Sequence, residues 1–465
     1  MTLNLIEPQI QPPLDHSFRP AVLANRNFRR AVQHVGTRAV VGLERNSDDF
    51  SRFELAVYPE DHPNFESNYQ YVERIVKFLL WQRGGHALYF GGPRKIADYL
   101  KRIYSANGER EFDYHFMGEQ VYEKEFSVVA CGADEVPAAR ETGKLLGRNL
   151  HGCRIGFDLG ASDRKVSAVV DGTPIFSEEV IWEPRKHSNP EYHYREIMAG
   201  IQTAASKMPR VDAIGGSSAG IYIDNRPMVA SLFRGIPPKK YDRVKNMFLR
   251  IRDEWGVPLE VINDGDVTAL AGSMAIGENG ILGIALGSSE AAGYVNMDGR
   301  IMGWLNELAF APIDNSPSAP VDEWSGDKGC GALYFSQQCV FRLAPAAGIE
   351  IPAGITDAEK LKFVQDKLEA GHEGALKIWQ SMGIYLGYGI AHYADFYDIK
   401  HVLILGRCTS GRGGDLLLEG AKEVFEAEFP ELLQKIELHL PDEKIRRVGQ
   451  SVAAASLPVV DKFAE

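Results

Sequence analysis

The sequence predicts an α/β protein with a duplicated βββαβα core in two lobes and an additional N-terminal α/β segment. Three strand-like runs followed by alternating helices and strands begin near Arg154, and a second set in the same order begins near Gly280. Polar, glycine-containing turns follow several of these strands, where α/β proteins bind ligands. The predicted boundaries are 1–150 for the N-terminal segment, 151–276 for the first lobe and 277–465 for the second, whose C-terminal helix returns to the first lobe.

Composition and charge are those of an ordinary globular chain. It has 465 residues, of which 45% are hydrophobic and 25% charged, with a net charge of −12. The negative charge argues against a nucleic-acid-binding surface. No apolar run is long enough to span a membrane, no signal-peptide pattern opens the chain, and the five cysteines form no Cys-x-x-Cys pair. We therefore expect a cytoplasmic protein that binds neither nucleic acid nor membrane.

The N-terminal segment begins with a proline-rich stretch that we expect to lie extended over another part of the chain. Strands are predicted within 37–60, and apolar positions at helical spacing predict a helix over 68–83. The sequence Gly91-Gly92-Pro93 is interpreted as a plain turn between a strand and a helix. No helix-turn-helix is recognisable, so the sequence does not disclose the role of this segment.

Each lobe opens with a meander of three strands and continues with helices and strands in alternation. For the first lobe the predicted elements are strands 154–159, 165–170 and 174–182, helix 192–208, strand 211–215, helix 241–255, strand 258–262 and helix 267–276. For the second they are strands 280–286, 291–296 and 300–302, helices 330–343, 357–369 and 373–393, strand 401–405, helix 415–428, strand 435–440 and helix 446–455.

The first polar turn, Asp158-Leu-Gly160-Ala-Ser162-Asp163, joins two short apolar strands. Gly160 allows the backbone to approach a ligand closely, Ser162 offers a hydroxyl and Asp158 offers a carboxylate for a metal-bound water. Such a turn directs N–H groups at phosphate oxygens without a lysine-bearing loop. Taken alone, the turn is equally consistent with an ordinary surface hairpin.

A second polar turn, Asn263-Asp264, ends a strand just before a helix. A carboxylate there can accept a proton from a substrate hydroxyl, as phosphoryl transfer requires. Capping of the helix is the alternative. We expect Asp266 to cap and Asp264 to act as the base.

Two further glycine-containing turns lie in the second lobe. Gly287-Ser288-Ser289 forms a second hairpin suited to the outer phosphates. A loop after strand 401–405 would let a purine and ribose lie against the backbone, with Gly406, Ser410, Gly411, Gly413 and Gly414 as its candidate contacts. Each turn is a weak signal alone, but four in this order together indicate a phosphoryl-transfer site.

Residues 154–456 resemble the ROK family of sugar kinases and sugar-responsive repressors, within the actin/hexokinase superfamily. The matching motifs are the first phosphate motif at 158–162, the sugar-side turn at 215–220, the Asn-Asp pair at 263–264, the second phosphate motif at 287–289 and the adenosine loop at 405–414. The resemblance does not extend into residues 1–150, where repressor members carry a winged helix that is not found here.

The resemblance implies an actin-like ATPase (ribonuclease H-like) fold and an ATP- and magnesium-dependent kinase. Asp264 would be the catalytic base and Asp158 would hold the magnesium ion through water. A small-molecule carbohydrate or polyol would be the acceptor, and a homodimer is expected. Asn263, Glu307, Ser218 and Gly220 would bind the acceptor.

The zinc- and sugar-binding segments depart from the family pattern. Glu307 is kept, but the family's histidine is replaced by Phe310. At 323–332 only Cys330 of three cysteines remains, and Ala332 replaces a sugar-contacting glutamate. One thiolate cannot make a tetrahedral zinc site, so no structural zinc is expected. The acceptor is therefore not expected to bind as glucose does in the family. Two roles stay open for the neighbouring polar and aromatic residues: they supply a different set of acceptor contacts, or they cap the following helix. These residues are Asp322, Glu323, Trp324 and Asp327.

Three functions stay open from the sequence. A sugar or polyol kinase is favoured, because a sensor does not need Asp158, Asp264 and Gly287 together. The second is a non-catalytic carbohydrate sensor. The third is a kinase with another phosphoryl donor such as polyphosphate, which the cationic residues Arg164, Lys165, Arg407 and Arg412 would favour.

Overall fold

The computed structural model describes residues 3–141, 146–441 and 449–460. The N-terminal part forms a four-stranded sheet in the order β2-β1-β3-β4, in which only β3 and β4 pair in parallel. The predicted strands and the helix over 68–83 are confirmed, whereas α1 was not predicted. The elements are α1 (Ala21–Val32), β1 (Thr37–Glu44), β2 (Phe50–Val57), α2 (Ser67–Arg83), β3 (Ala87–Gly91), α3 (Arg94–Ile103), α4 (Glu111–His115) and β4 (Ser127–Cys131).

The middle of the chain forms a five-stranded sheet in the order β11-β8-β5-β6-β7. Strand β8 pairs in parallel with β5 and with β11, so the carboxyl ends of these three strands lie at one edge. The elements are β5 (Cys153–Leu159), β6 (Asp163–Val170), β7 (Thr173–Ile181), α5 (Pro190–Ala205), β8 (Ala213–Ser218), β9 (Ile221–Ile223), β10 (Arg226–Val229), α6 (Tyr241–Lys245), α7 (Met247–Trp255), β11 (Leu259–Asn263), α8 (Asp264–Ile276), β12 (Ile281–Leu286) and β13 (Glu290–Val295).

The rest of the chain completes a second sheet in the order β13-β12-β14-β15. Its elements are α9 (Gln337–Leu343), α10 (Asp357–Glu369), α11 (Glu373–Tyr393), β14 (His401–Leu405), α12 (Arg412–Glu428), α13 (Pro430–Leu433), β15 (Glu437–His439) and α14 (Gln450–Ala455).

Two elements predicted for the second lobe, 277–465, are wrong. The strand at 300–302 is reduced to one bridge between Val295 and Ile301. The helix predicted from Cys330 begins only at Gln337, because Ser336 is extended and its side chain caps α9. Residues 446–448 of the predicted final helix lie outside the described residues.

The chain divides into two compact units. Unit 1 comprises Met1–Thr142, Ile284–Ala292 and Gly303–Leu440, and unit 2 comprises Gly143–Gly283, Gly293–Met302 and Pro441–Glu465. Within the described residues, no helix combines the length and apolarity needed to cross a bilayer.

Unit 2 has its core between the five-stranded sheet and its helices. Apolar side chains of β5 and β8 pack with those of α5 and α7 in one buried cluster. On the sheet, α14 packs against β5 and β8. A Cβ atom on Gly156 would lie 1.6 Å from the Ser451 carbonyl oxygen, and one on Gly215 would lie 1.7 Å from that of Ala454. Glycine at these two strand positions is therefore required for the close approach of α14.

In unit 1 the proline-rich start of the chain lies against α11, as the expectation of an extended covering segment predicts. The Ile10 amide donates to the Tyr388 hydroxyl at 3.3 Å, and the Tyr385 hydroxyl donates to Asp15 at 2.7 Å. Phe18 is fully buried, and its ring lies 4.8 Å from that of Tyr385.

A network of charged side chains is buried in unit 1. It joins α2 and residues near α4 to the loop that precedes α9. Taking six such groups out of water is unfavourable unless each is paired, so removing one partner leaves a buried unpaired charge. The members are Glu73, Arg74, Lys77, Arg110, Asp113 and Asp327.

Within this network, Asp327 forms ion pairs with two cationic side chains of α2. Arg74 contacts it at 3.0 Å and Lys77 at 3.5 Å, while the Lys77 ammonium also lies 2.8 Å from Asp113. Burial alone would raise the pKa of Asp327, but Arg74 and Lys77 hold that pKa below its ordinary value. The loop before α9 is thus tied electrostatically to α2.

We expect Arg74→Met to lower the free energy of unfolding by about 3–5 kcal/mol, because Glu73 and Asp327 lose one of the two arginines that pair with both of them in a buried site. Of these two arginines they keep only Arg110. The control is Arg94→Met, which removes an exposed pair with Asp98 on α3 and should change stability by less than about 0.5 kcal/mol. Urea denaturation of both variants tests this, and equal effects would contradict it.

Candidate active site

Two carboxylates of unit 2 lie at the shared edge of the parallel strands. Asp158 is near the end of β5 and accepts a hydrogen bond from the Ser217 hydroxyl on β8 at 2.7 Å. Burial raises the pKa of Asp158, although the Ser217 bond and the charge of Lys165 act in the opposite direction. Ser217 was not predicted as a site residue, and its only sequence signal is the run Gly-Gly-Ser-Ser that ends the strand.

Asp264 follows β11 directly and is the first residue of α8. Burial and, to a smaller extent, the Asp158 carboxylate together raise its pKa to about 6, against the opposite effect of the Gly265 amide. The two acidic groups therefore repel each other when both are ionised. Such a pair favours a bound cation or a proton.

Of the expected roles of the two aspartates of this turn, the cap at Asp266 is wrong and the base at Asp264 stays a prediction. The N-cap of α8 is Asn263, whose side-chain oxygen accepts from the Gly265 amide at 2.7 Å. Asp266, expected to cap, instead accepts from the Tyr294 amide at 3.1 Å. The cap falls on Asn263 because α8 begins at Asp264, three residues earlier than the predicted start at 267.

The predicted acceptor-binding residues of unit 2 form a connected turn. The Asn263 amide group donates to the Gly220 carbonyl at 2.8 Å, and Gly220 has a φ of +125°. Ser218 is fully buried, and its hydroxyl accepts from Tyr222 at 2.7 Å. These bonds hold the turn after β8 against the start of α8, so Asn263 also positions the turn.

The hairpin between β5 and β6, predicted to bind phosphate, is closed by hydrogen bonds within the turn. The Gly160 amide donates to the Asp163 carbonyl at 2.9 Å, and the Ser162 hydroxyl donates to the Asp163 carboxylate at 3.1 Å. Trp182 donates its indole N–H to the Gly160 carbonyl at 2.8 Å. Arg164, considered for polyphosphate, is largely buried and pairs with Glu196 at 3.2 Å.

In unit 1, the second hairpin joins β12 and β13. The Gly287 amide donates to the Ser289 carbonyl at 3.1 Å, and Ser288 and Ser289 are exposed. A Cβ atom on Gly287 would meet nothing closer than 3.6 Å, so packing within the protein does not require glycine there. This leaves room for a ligand to approach the backbone.

Glu290 follows this hairpin and was not predicted as a site residue. Burial and, to a smaller extent, the nearby Glu307 carboxylate raise its pKa to about 8, against the effect of a 2.8 Å hydrogen bond from the Tyr393 hydroxyl. Its second oxygen has no hydrogen-bond partner among the described residues. A protonated carboxyl group therefore lies behind the hairpin at neutral pH and close to Glu307. Its only sequence signal is its position after Gly-Ser-Ser.

Glu307 is held in place by the N-terminal segment. The Asn306 and Glu307 amides donate to the carbonyls of Gln82 and Trp81 at 2.9 and 3.0 Å. These carbonyls belong to the last turn of α2, where no helical N–H is available to them. Asn306 has a φ of +51°, and its side chain accepts from the Tyr397 hydroxyl at 2.8 Å. The N-terminal segment thus positions a residue predicted to bind the acceptor.

Phe310, which replaces the histidine of the zinc- and sugar-binding pattern, packs in an aromatic cluster. Phe310 is buried with its ring 4.2 Å from Trp81 and 5.3 Å from Trp324, which is 59% exposed. Cys330 is fully buried, and burial raises its thiol pKa to about 12, so it is protonated at neutral pH. That no zinc binds here stays a prediction.

The acidic residues of this segment do not cap the following helix. Asp322 accepts from the amide and hydroxyl of Ser325 at 2.7 and 2.5 Å, which closes the loop on itself. Asp327 belongs to the buried charge network. The expectation that they cap α9 is wrong because Ser336 occupies that position.

The loop after β14 contains the predicted adenosine contacts. Gly406 has a φ of +99°, and a Cβ atom there would lie 2.5 Å from the Leu286 carbonyl. Gly413 and Gly414 are buried, and a Cβ on Gly413 would lie 2.5 Å from the Trp379 indole nitrogen. Helix packing therefore accounts for glycine at Gly413 and Gly414. Ser410 and Gly411 are exposed and remain available to a ligand.

We expect Gly406→Ala to destabilise unit 1 by more than about 2 kcal/mol. The backbone φ at this position is unfavourable for a residue with a β carbon, and the β carbon would also collide with the Leu286 carbonyl. Gly354→Ala is the control: φ is +78° there, but nothing lies within 4 Å of the added carbon. It should cost only about 1 kcal/mol. Denaturation midpoints distinguish the two, and a Gly406→Ala variant as stable as the control would be contrary to this interpretation.

We expect Asp264→Asn to stabilise the protein at neutral pH. A folded-state pKa of about 6 lies above the unfolded value, so the carboxylate lowers stability as pH rises from about 4 to 6. Removing it should raise the free energy of unfolding at pH 7.5 by about 1–3 kcal/mol and change it little at pH 4. Asp298→Asn, at an exposed aspartate of the same unit, is the control and should be neutral at both pH values. A destabilised Asp264→Asn at pH 7.5 would refute this pKa.

No protein-family model matches the chain, and no curated protein matches it. Among solved structures, a ROK hexokinase from Thermus thermophilus is similar with a TM-score of 0.52 and 17% identity over 67% of this chain and 99% of that one. A ROK family transcriptional regulator, a homologue of the E. coli MLC protein, is similar with a TM-score of 0.52 and 19% identity over 68% of this chain and 79% of that one. The chain therefore has the α/β, actin-like fold of these two ROK proteins, as the sequence resemblance predicts.

Proposed function

We propose that the protein is a kinase that transfers the γ-phosphoryl group of ATP to a hydroxyl of a sugar, polyol or sugar derivative. The observation that carries the proposal is Asp264, which lies at the carboxyl end of β11 with its pKa raised to about 6. At neutral pH this carboxylate is ionised but more basic than an ordinary aspartate. It is therefore suited to accept a proton from an acceptor hydroxyl.

Asp158 fits a magnesium site in chemical terms. It is a carboxylate whose pKa is raised by burial, and it adds to the negative charge felt by Asp264. A divalent cation held through water would relieve that repulsion. When bound, magnesium neutralises charge on the transferred phosphate. Ser217 orients one Asp158 oxygen by its 2.7 Å hydrogen bond, which leaves the other oxygen for such a water.

The donor and acceptor contacts of the proposal are those predicted from the sequence. The donor phosphates would bind the backbone and hydroxyls of Gly160, Ser162 and residues 287–289, and the adenosine would bind the loop 406–414. Asn263, Glu307 and Gly220 would orient the acceptor. Phe310 replaces a polar histidine of the ROK pattern and packs against Trp324, so an acceptor with an apolar substituent is favoured over free glucose.

A non-catalytic carbohydrate sensor is the second candidate. One of the two proteins of similar fold is named a transcriptional regulator, which favours it. A sensor, however, has no need of a strongly perturbed carboxylate at Asp264, since unpaired buried charge weakens the fold.

A screen of sugars and polyols by thermal shift, with and without magnesium and ATP, tests the proposal. Compounds that stabilise the protein would then be assayed for ADP release and for a phosphorylated product by mass spectrometry. A kinase should form both products in equal amounts. Stabilisation by a sugar without any ADP release above background would favour the sensor.

We expect Asp264→Asn to lower the rate of phosphoryl transfer by about 10²–10⁴-fold while nucleotide binding is retained, because the amide cannot accept the proton. Asp298→Asn should keep the wild-type rate. Single-turnover transfer and nucleotide titration, measured on each protein, separate chemistry from binding. Wild-type turnover in Asp264→Asn would exclude this residue as the base.

A further inference from the structure

We propose that His401, Glu437 and His439 form a binding site for a zinc ion on the edge of the second sheet in unit 1. Neither the sequence motifs nor the kinase chemistry assigns a role to these three residues. Their side-chain ligand atoms all lie within 4.8 Å of one another. The site is separate from the segment 323–332, for which no zinc is expected.

Strand pairing brings the three side chains together. In the parallel pair of β14 and β15, His401 lies opposite Glu437 and Leu403 lies opposite His439. Because side chains alternate between the faces of a sheet, residues 401, 437 and 439 share one face. The ligands thus come from two strands separated by more than thirty residues of chain, which is why no sequence motif marks them.

The distances suit a single metal ion. The Nδ1 atom of His401 lies 3.0 Å from the Nε2 atom of His439, and each lies 3.7 Å from a Glu437 carboxylate oxygen. Zinc–nitrogen and zinc–oxygen bonds of about 2.0–2.2 Å span such separations in a distorted tetrahedron with a fourth position open to water.

The chemistry of the donors selects the class of metal. Two imidazole nitrogens that face each other without a cation can share only one proton, whereas a metal ion uses both lone pairs. Two imidazoles and one carboxylate suit zinc, while magnesium prefers oxygen ligands and keeps several waters. The charge of Glu437 offsets part of the charge of the ion.

Burial and access are also appropriate for a metal site. The His401 side chain is 8% exposed, so its ring is held in place, and its other nitrogen has no hydrogen-bond partner among the described residues. The His439 side chain is 25% exposed and that of Glu437 is 73% exposed, so an ion can enter from solvent. Strand β15 has only three residues and lies at the sheet edge, and a bound ion would fasten it to β14.

The test uses the full-length protein treated with a chelator and then titrated with zinc chloride, without nucleotide, by calorimetry. We expect one zinc ion per chain with micromolar or tighter affinity. His439→Gln and Glu437→Gln should each weaken binding by about tenfold or more, since losing even an outer-shell partner of a metal ligand has an effect of that size. His34→Gln removes an exposed imidazole elsewhere in unit 1 and is the control.

Thermal unfolding gives an independent measurement. Zinc should raise the melting temperature of the wild type and of His34→Gln, but not that of His439→Gln, whereas magnesium at the same concentration should change the melting temperatures of the wild type and of His439→Gln equally. The proposal is overturned if the wild type binds no zinc at micromolar concentration. It is equally overturned if His439→Gln binds zinc as tightly as the wild type, because the ion would then occupy another site.

Discussion

The arrangement of unit 2 depends on two carboxylates that the fold places at one edge of a parallel sheet. Because β5 and β11 both run parallel to β8, their carboxyl ends lie at the same edge of the sheet, and Asp158 and Asp264 are located there. Burial and the Asp158 charge together raise the pKa of Asp264 to about 6. This electrostatic repulsion lowers the free energy of unfolding at neutral pH, and other contacts in unit 2 must compensate for it.

Several contacts hold the backbone around Asp264 in place without involving its carboxylate. The Gln450 amide of α14 donates to the Thr268 hydroxyl at 2.6 Å and to the Asp264 carbonyl at 3.4 Å. Helix α14 can reach this position only because Gly156 and Gly215 carry no side chain. The cap by Asn263 fixes the start of α8 from the other side. Thus the C-terminal helix, the sheet and the cap all determine where Asp264 lies.

The N-terminal segment has a comparable role in unit 1. The carbonyls at the end of α2 bind the backbone at Glu307, Trp81 packs on Phe310, and Arg74 and Lys77 pair with Asp327. Backbone hydrogen bonds, aromatic packing and buried ion pairs thereby fix residues 306–327 against α2, although this region lacks the full ligand set of a zinc site. These contacts suggest that residues 1–141 are part of the architecture of unit 1 and are not a detachable module.

The sequence predicted most of this because its strongest signals are local. Hydrophobic periodicity located α2, β5 and α11, and the Asn-Asp pair marked the end of β11. What it missed depends on contacts between distant residues: the Ser217 bond to Asp158, the burial of Glu290 behind its hairpin and the cluster around His401. Glycine was also ambiguous, since Gly413 serves helix packing whereas Gly287 has open space beside it. The sequence alone does not distinguish a glycine required by packing from a glycine that leaves space for a ligand.

The most direct measurement is an NMR titration of the Asp264 carboxyl carbon in protein labelled with ¹³C at aspartate, assigned by comparison with Asp264→Asn. The raised pKa predicts a midpoint near pH 6 in the wild type and a lower one in Asp158→Asn, because one repelling charge is removed. A midpoint near the ordinary aspartate value of about 4 that does not respond to Asp158→Asn would contradict the coupling on which the proposed chemistry rests.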